Sequence, residues 1–396
     1  MRVLAYTNLF PSSREPTRGI YNLQLFSALS QYCEVQVVCP VAWRNRLRSP
    51  IELIRWHSES HGGLETQYPT FVPIVRFAPR LNPWLMYQAT RVSVARTRKR
   101  FPFDVILAAW GYPDAEAALL LARQYRCPLV TNLLGSDVND LANRPIIRDI
   151  VAGTVQASQA IVVMSEVMAK DVVALGVPRS KVTVQHNGVD RERFQLRDKH
   201  EVRARLGLPL QRPMVVFIGN LVPVKGPDVL LDAFTRLREE MSSDAMLVIV
   251  GDGDLRRSLE QSLERRGLLQ HVRFMGRRPH SEMPNWISAA DVLCLPSRTE
   301  GCPNVVLEAL ASGRPVVATR VGAVPDLLTE STGRLVDVGD AKGLADALAA
   351  SLGTKWEAEH IRASVAQLTW GSVAHTYFQV LERALNLESA AQPLPL

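Results

Sequence analysis

The stretch Ser297-Arg-Thr-Glu-Gly-Cys-Pro-Asn-Val-Val-Leu-Glu-Ala-Leu-Ala-Ser-Gly313 joins an apolar run to a helical pattern. Pro303 within it suits the first position of a helix, because proline lacks the N–H group that would stay unpaired there. Three backbone N–H groups should then have no partner inside the helix, those of Asn304, Val305 and Val306. Such a helix start favours phosphate, so the stretch predicts an anion site.

Two carboxylates flank this helix start, Glu300 and Glu308. They would disfavour phosphate unless they accept hydrogen bonds from hydroxyl groups of the same ligand, as in a sugar nucleotide. Taken alone, they are better explained as a solvated residue and a helix-surface residue. A second segment favours the binding role: Gly219-Asn-Leu-Val-Pro-Val-Lys-Gly226 also follows an apolar run and opens a helix, and its Lys225 adds a positive charge that suits a leaving diphosphate.

Short apolar runs alternate with amphipathic stretches along the chain, which is typical of βαβ units and parallel sheets. The predicted strands are Val3–Thr7, Val35–Cys39, Val105–Ala109, Leu129–Asn132, Ile161–Met164, Val182–Val184, Met214–Ile218, Leu247–Val250, Val272–Met275, Val292–Leu295 and Val316–Thr319. We therefore expect an α/β protein with two doubly wound sheets, divided near Asn187–Phe194. Ligands of such sheets bind beyond the carboxyl ends of the strands, where both segments lie.

Five motifs occur in the order found in the family-four glycosyltransferases of the GT-B fold, which the chain resembles over most of its length. They are Gly135-Ser-Asp137, His186-Asn-Gly-Val-Asp190, Gly219-x5-Lys225-Gly226, Val250-Gly-Asp-Gly253 and Glu300-x7-Glu308. The resemblance implies two Rossmann-like domains that face a central cleft. It assigns residues 1–187 to an acceptor-side domain and 188–369 to a nucleotide-sugar-binding domain, with a last helix at about 370–388 that crosses back to the first domain.

The resemblance also implies roles for individual residues. Three are expected to be catalytic: Lys225 at the diphosphate, Glu300 at the donor sugar and Asp137 near the acceptor. A helix-capping role for Asp137 is an equal alternative. Glu308 is expected to bind the ribose. The other residues predicted to bind the donor are Gly19, Gly219, Asn220, Gly253, Arg277, Asn304, Val305 and Val306.

The chain departs from the family pattern at two places. Asn220 stands where the family usually has arginine, so either the remaining lysine and the backbone hold the diphosphate, or Arg14 or Arg18 of the first domain supplies a second cation. No histidine lies between His61 and His186, so no imidazole base can be assigned there. A retaining enzyme tolerates this loss, because the departing phosphate oxygen is thought to take the acceptor proton. Some members that resemble cell-surface polysaccharide enzymes of the teichuronic acid type share the asparagine at the position of Asn220, which points towards that branch of the family.

The composition, with 47% apolar and 21% charged residues, is that of an ordinary globular protein. No apolar run is long enough to span a membrane and the N-terminus lacks a signal-peptide pattern, so we expect a cytoplasmic protein. The five cysteines show no C-x-x-C spacing and are expected to be buried thiols. The nearest match to an Asp-x-Asp metal motif is Asp252-Gly-Asp254, which falls in a predicted strand-to-helix turn. Neither a metal nor another cofactor is therefore expected.

Positive charge is concentrated in the first domain, where residues 1–103 contain 14 Lys and Arg but five Asp and Glu. The predicted helix from Asn82 to Arg100 begins with apolar and aromatic residues and ends with basic ones. Residues 84–100 either bind an anionic membrane, as in relatives with lipid-linked acceptors, or form a core-packed helix with a solvated basic face. Nucleic acid is not an expected partner, because the aromatic and basic residues do not alternate.

These features predict a retaining, metal-independent glycosyltransferase that moves a sugar from a nucleoside diphosphate sugar to a hydroxyl acceptor. The acceptor is expected to be a lipid-linked or growing saccharide of the cell surface, reached from the inner face of the cytoplasmic membrane. Two alternatives stay open. One is an epimerase of the same fold that acts on the sugar nucleotide. The other is a non-catalytic, sugar-nucleotide-binding partner in a polysaccharide complex, which Asn220 and the missing histidine favour.

Overall fold

A computed structural model describes residues 1–43, 58–74, 78–139, 144–239, 241 and 243–391. The chain divides into two compact units. The first consists of Met1–Asn187 and Trp370–Leu396, and the second consists of Gly188–Thr369. Within the described residues, every helix is too short or too polar to cross a membrane.

The first unit is built on a sheet of mostly parallel strands. Its strands are β1 (Arg2–Tyr6), β2 (Glu34–Val38), β3 (Val41–Ala42), β4 (Ser58–His61), β5 (Leu64–Gln67), β6 (Thr70–Phe71), β7 (Val105–Ala109), β8 (Leu129–Leu133), β9 (Ala160–Val163) and β10 (Val182–Val184). Its helices are α1 (Ile20–Leu29), α2 (Leu81–Arg100), α3 (Glu116–Tyr125), α4 (Ser136–Asn139), α5 (Pro145–Ala157), α6 (Glu166–Ala174) and, from the end of the chain, α15 (Trp370–Ala391). The sheet order is β10-β9-β8-β7-β1-β2-β5-β4, with β3 and β6 paired separately.

The second unit contains a fully parallel sheet with the order β13-β12-β11-β14-β15-β16, and its elements are bounded as follows. The strands are β11 (Met214–Ile218), β12 (Met246–Val250), β13 (Val272–Gly276), β14 (Val292–Leu295), β15 (Val316–Thr319) and β16 (Gly333–Val336). The helices are α7 (Lys199–Leu206), α8 (Pro227–Glu239), α9 (Arg256–Arg265), α10 (Met283–Ala289), α11 (Asn304–Ala311), α12 (Val324–Leu327), α13 (Ala341–Gly353) and α14 (Ala358–Ala363).

Helices cover both faces of the central strands, which is why β7, β8 and β12 are buried along their whole length. The last helix, α15, packs on the sheet of the first unit next to α1. Its apolar positions recur at helical spacing, and the buried ones are Val373, Ala374, Tyr377, Val380, Leu381 and Ala384. The predicted return of the last helix to the first unit is therefore confirmed.

Each main sheet has one place where the strand order reverses. In the second unit it lies between β11 and β14, because the chain runs outward from β11 to β13 and then crosses to β14. In the first unit it lies between β1 and β7. Loops leave these neighbouring strands in opposite directions, which opens a crevice where α/β proteins bind ligands. The loops after β11 and β14 carry Lys225 and Glu300.

All the predicted strands form, with ends that differ by at most one residue from the observed ones. The sequence did not predict β3, β4, β5, β6 or β16. β3 and β6 have only two residues each, and β4 consists of Ser-Glu-Ser-His, without an apolar run. β4 and β16 are edge strands of the two main sheets, where the apolar signal is weak, whereas β5 lies between β2 and β4.

Candidate active site

Lys225 and Glu300 meet at the switch point of the second unit. Lys225 Nζ lies 2.6 Å from Glu300 Oε1, and Ser297 donates a hydrogen bond of 2.6 Å to the same oxygen. The Glu300 side chain is 10% exposed and that of Lys225 is 28% exposed, so the ion pair is mostly shielded from water. Charge interactions are stronger in such a setting than in bulk water. The structure thus brings together the residues predicted to bind the diphosphate and the donor sugar.

Two glycines allow the loops around this ion pair to pack backbone against backbone. Gly226 has a φ of 63°, and a Cβ there would lie 2.1 Å from the carbonyl oxygen of Pro296. Gly322 has a φ of 52°, and its Cβ would lie 2.3 Å from the carbonyl oxygen of Gly301. Any side chain at either position would push the loops apart. The loops after β11, β14 and β15 therefore form one layer that fixes the ion pair.

Glu308 is buried in α11 and is held by a histidine. Its Oε1 accepts a hydrogen bond of 2.9 Å from Nε2 of His280, which follows β13. The ring centroids of Phe194 and His280 are 5.8 Å apart. With only 5% of Glu308 exposed, it is not a solvated surface residue. His280 was not among the predicted site residues, and its only signal in the sequence is its position just after a predicted strand.

The start of α11 differs from the prediction by one residue. Pro303 precedes the helix as its N-cap residue and does not occupy the first position. Its carbonyl accepts a hydrogen bond of 3.0 Å from the N–H group of Val306, so the prediction of a free N–H group at Val306 is wrong. Within the described residues, the N–H groups of Asn304 and Val305 donate to no backbone oxygen. Two of the three predicted donors are thus left for a ligand.

The turn that contains Gly253 packs directly on the loop after β11. A Cβ at Gly253 would lie 2.5 Å from the carbonyl oxygen of Leu221, and the Leu221 N–H donates to the Asp252 carbonyl at 3.0 Å. Gly219 N–H donates to the Val250 carbonyl at the same distance. The interpretation of this segment as a tight strand-to-helix turn is confirmed, and it supports the backbone next to the lysine.

Asn220 and Arg277 are both exposed at the carboxyl edge of the sheet. Arg277 directly follows Gly276, whose carbonyl accepts a hydrogen bond from the N–H group of Gly251, just after β12. The family usually has an arginine at the position of Asn220. Arg298, on the loop after β14, does not take over the role of that arginine. Its guanidinium binds the Asp228 carboxylate with hydrogen bonds of 3.0 and 2.6 Å, and this interaction lowers the pKa of Asp228.

In the first unit, Gly19 is the N-cap residue of α1. Its φ is 62°, and a Cβ there would lie 2.1 Å from the carbonyl oxygen of Leu9, so only glycine fits this entry. The role predicted for Gly19 in donor binding stays a prediction.

Asp137 is buried and connects the loops after β7 and β8. Its carboxylate accepts hydrogen bonds from the N–H groups of Gly111 at 2.8 Å, Leu134 at 3.0 Å and Gly135 at 2.7 Å. Burial raises its pKa, and these hydrogen bonds offset part of that effect. Because Asp137 accepts mainly from residues that precede α4, it is not a usual N-cap residue. It supports the loops directly, while its contact with an acceptor stays a prediction.

Asp114 is a second buried carboxylate, which sequence analysis missed. Its Oδ2 accepts a hydrogen bond of 2.8 Å from Asn8 Nδ2, and its Oδ1 accepts one from the Asn8 backbone N–H. Arg18 Nε donates to the Asn8 carbonyl at 3.1 Å. Burial raises the pKa of Asp114 to about 8. Asp114 therefore ties together the loops at the switch point of the first unit.

The second unit thus combines groups of opposite chemistry within one sheet edge. A lysine and the N–H groups of a helix start can bind phosphate, while two glutamates with limited exposure can accept hydrogen bonds from hydroxyl groups. The Lys225–Glu300 contact keeps both residues in place when no ligand neutralises them. Such a set fits a ligand that carries phosphate and hydroxyl groups together.

Comparison with known proteins identifies the family. The sequence profile described as Glycosyltransferase Family 4 matches residues 19–193, and the profile described as Glycosyl transferases group 1 matches residues 212–353. The chain is 28% identical over 376 residues to a Bacillus subtilis protein named as the teichuronic acid biosynthesis glycosyltransferase TuaC. The alignment covers 91% of this chain and 90% of that protein.

Solved structures show the same fold. HepE of Anabaena, in complex with UDP, superposes with a TM-score of 0.75 at 18% identity, covering 96% of this chain and 100% of that chain. Sucrose-phosphate synthase of Thermosynechococcus elongatus gives a TM-score of 0.79 at 21% identity, covering 98% and 99%. The two profiles span most of both units, and the sheet topology agrees with them, so the chain belongs to the family-four glycosyltransferases of the GT-B fold.

Proposed function

We propose that the protein transfers a sugar from a nucleoside diphosphate sugar to a hydroxyl group of a saccharide, with retention of the anomeric configuration and without a metal ion. The observation that carries the proposal is the contact of 2.6 Å between Lys225 and Glu300 at the switch point of the second unit. The N–H groups at the start of α11 and the buried Glu308 complete the donor site.

In this mechanism Lys225 acts on the charge that develops on the leaving diphosphate as the glycosidic bond breaks. A lysine that is already placed in a shielded site stabilises this charge without reorganisation. It thereby takes the role that a divalent cation has in other transferases. When the diphosphate binds Lys225, the Glu300 carboxylate is released to accept hydrogen bonds from the donor sugar. The departing phosphate oxygen takes the acceptor proton, which is consistent with the absence of histidine between His61 and His186.

The acceptor class is inferred from relatives. TuaC is named for teichuronic acid biosynthesis and aligns along nearly its whole length with this chain. We therefore infer a lipid-linked or growing saccharide of a cell-surface polysaccharide as the acceptor. The structural neighbour HepE binds UDP, which supports a nucleotide donor.

An anionic membrane is the surface on which such an acceptor is found, and α2 offers a face that fits it. Exposed apolar side chains at the start of the helix include Leu81 at 47% and Trp84 at 49%, and Val92, at 45%, lies about three turns further along on the side of Leu81. Exposed basic residues lie on the same helix and are Arg91, Arg96, Lys99 and Arg100. No acid lies between Glu65 and Asp104 to oppose their charge. An apolar stripe flanked by basic residues is the pattern of interfacial helices.

One basic residue near the end of α2, Arg98, does not belong to this face. The Arg98 guanidinium packs over the ring of Phe103 at 4.6 Å and near that of Tyr125 at 5.8 Å, and the side chain is only partly exposed. The other face of α2 packs in the core through Met86 and Val94. One face of the helix is therefore packed in the core, and we propose that its outer face contacts anionic lipid.

The reaction is tested by incubating the protein with UDP, GDP, ADP and dTDP sugars and with lipid-linked saccharide acceptors, followed by proton NMR. We expect a new glycosidic linkage with the same anomeric configuration as the donor. An inverted linkage would contradict the retaining mechanism. A changed stereocentre in the donor without any transfer would instead favour the epimerase. Donor binding without turnover would favour the non-catalytic partner.

A further inference from the structure

One histidine contacts the buried carboxylate of the donor site. His280 Nε2 and Glu308 Oε1 are 2.9 Å apart, and the two side chains are 18% and 7% exposed. Because the carboxylate only accepts hydrogen bonds, the imidazole must carry its proton on Nε2. Within the described residues, Glu308 Oε2 has no hydrogen-bond donor from the protein. One oxygen of the carboxylate is therefore engaged and the other is left for a ligand.

The local structure holds this imidazole in place. His280 begins a single helical turn, His280–Glu282, directly after Pro279. The Glu282 N–H closes the turn with a hydrogen bond of 2.9 Å to the Pro279 carbonyl. The ring centroids of Phe194 and His280 are 5.8 Å apart, so Phe194 limits the rotation of the imidazole. The backbone of His280 is thus fixed by this turn, and its imidazole is also held by neighbouring groups.

We propose that His280 is a positioning residue for the ribose of the nucleotide. Its N–H group fixes the plane of the Glu308 carboxylate, so that Oε2 points at the ribose hydroxyls. A free glutamate has three side-chain torsions, and ordering them on binding would weaken affinity. The inference rests on the proposed function, in which Glu308 binds the ribose. It adds that recognition of the ribose hydroxyls depends on a residue that does not touch the nucleotide itself.

Two substitutions separate this role from a general packing role. Glutamine places its amide nitrogen as many bonds from Cβ as histidine places Nε2, so His280→Gln keeps a donor for Glu308. Asparagine is one bond shorter, so His280→Asn removes the donor and keeps a polar side chain. His360→Asn serves as the control, because His360 lies at an exposed position of the same unit and its imidazole forms a hydrogen bond with the Ser331 hydroxyl.

The test is calorimetric titration with UDP and with 2′,3′-dideoxy-UDP, and with the corresponding guanosine pair. We expect the wild-type protein to bind one ribose form at least about tenfold more tightly than its dideoxy analogue, since a site built for hydroxyl groups rejects ligands without them. His280→Asn should reduce this preference to about threefold or less while the affinity for the dideoxy analogue changes little. His280→Gln and His360→Asn should keep most of the preference.

Other outcomes overturn the inference. If His280→Asn keeps the full preference for ribose, or weakens the ribose and dideoxy forms by the same factor, His280 does not position Glu308. Glu308→Gln distinguishes this failure from a failure of the proposed function. If Glu308→Gln abolishes the preference and His280→Asn does not, the ribose contact stands and only the role of His280 is wrong. If the wild-type protein shows no preference, the ribose contact and the inference fail together.

Discussion

At the scale of single residues, the catalytic account depends most on Lys225. We predict that Lys225→Ala lowers kcat by a factor on the order of 100 or more, because one preorganised charge on the leaving group is lost. The measurement is the initial rate of sugar transfer at saturating donor. Arg266→Ala is a control for the loss of a positive charge in the same unit, since Arg266 is paired with Asp232. A rate of Lys225→Ala within a few-fold of the wild type would remove Lys225 from the site.

Asn220 provides a gain-of-affinity prediction. Asn220 is exposed on the same loop as Lys225, and the neighbouring Arg298 is already paired with Asp228. Asn220→Arg should therefore tighten nucleoside diphosphate binding by about tenfold, as expected for one charge-assisted hydrogen bond. Titration at two salt concentrations measures the effect, with Asn220→Gln as the neutral control. Unchanged or weaker binding would indicate that another cation, such as Arg14 or Arg18, already serves the diphosphate.

The residues also differ in how far sequence could predict them. The motifs containing Lys225, Glu300 and Glu308 could be located because a strand end, a glycine and a helix start coincide there. His280 and Asp114 could not, since a single histidine or aspartate has no pattern and acts through contacts formed only in the folded chain. The hydrogen bond of Val306 depends on a shift of one residue in the helix start, which is within the usual uncertainty of helix ends.

At the scale of elements, α7 is attached to the sheet of the second unit by a buried ion pair. Arg203 is 1% exposed and donates to Asp291 at 2.8 Å and to the Ala289 carbonyl at the same distance. Lys199 also contacts Asp291. Burial alone would raise the pKa of Asp291, but the hydrogen bonds from Lys199 and Arg203 outweigh it and keep the pKa below its usual value.

We predict that Asp291→Asn lowers the free energy of unfolding by about 3 kcal/mol at neutral pH, because Arg203 keeps its burial and loses its counter-ion. The stabilisation by Asp291 should be complete above the pKa of an unfolded aspartate and should be lost as the pH falls through the lower folded pKa. Urea unfolding of both proteins between pH 7 and pH 3 measures it. A difference that does not shrink in acid would contradict this account, and Glu166→Gln in an exposed pair should change little.

The outer face of α2 makes a second prediction at this scale. Each basic residue near an anionic surface contributes on the order of 1 kcal/mol, so Arg91, Arg96, Lys99 and Arg100 together should hold the protein on anionic vesicles. Sedimentation with phosphatidylglycerol vesicles should decrease with salt, because the Debye length is about 8 Å at physiological ionic strength. Replacing the four residues by Gln should abolish binding, whereas Arg98→Gln should not. Equal binding to neutral vesicles would leave this face as a solvated surface.

At the scale of the whole molecule, the sequence predicted both sheets because their central strands are continuous apolar runs, buried on both faces. Val105–Ala109 and Met214–Ile218 agree with the structure residue for residue. The polar strand β4 and the edge strand β16, Gly-Arg-Leu-Val, were missed because pairing with a neighbouring strand, and not an apolar run, makes them strands. The family assignment comes from motifs spread over the chain, so it did not depend on these edges.

The most direct test of the central claim is calorimetric titration of UDP, GDP, ADP and dTDP into the wild-type protein, Glu308→Ala and Glu300→Ala. We predict that one nucleotide binds the wild-type protein, that Glu308→Ala weakens its binding by about tenfold or more because the ribose contact is lost, and that Glu300→Ala leaves binding nearly intact while sugar transfer collapses. Equal losses of affinity in both variants, or no binding by any nucleotide, would contradict the claim that these residues form a nucleotide-sugar site.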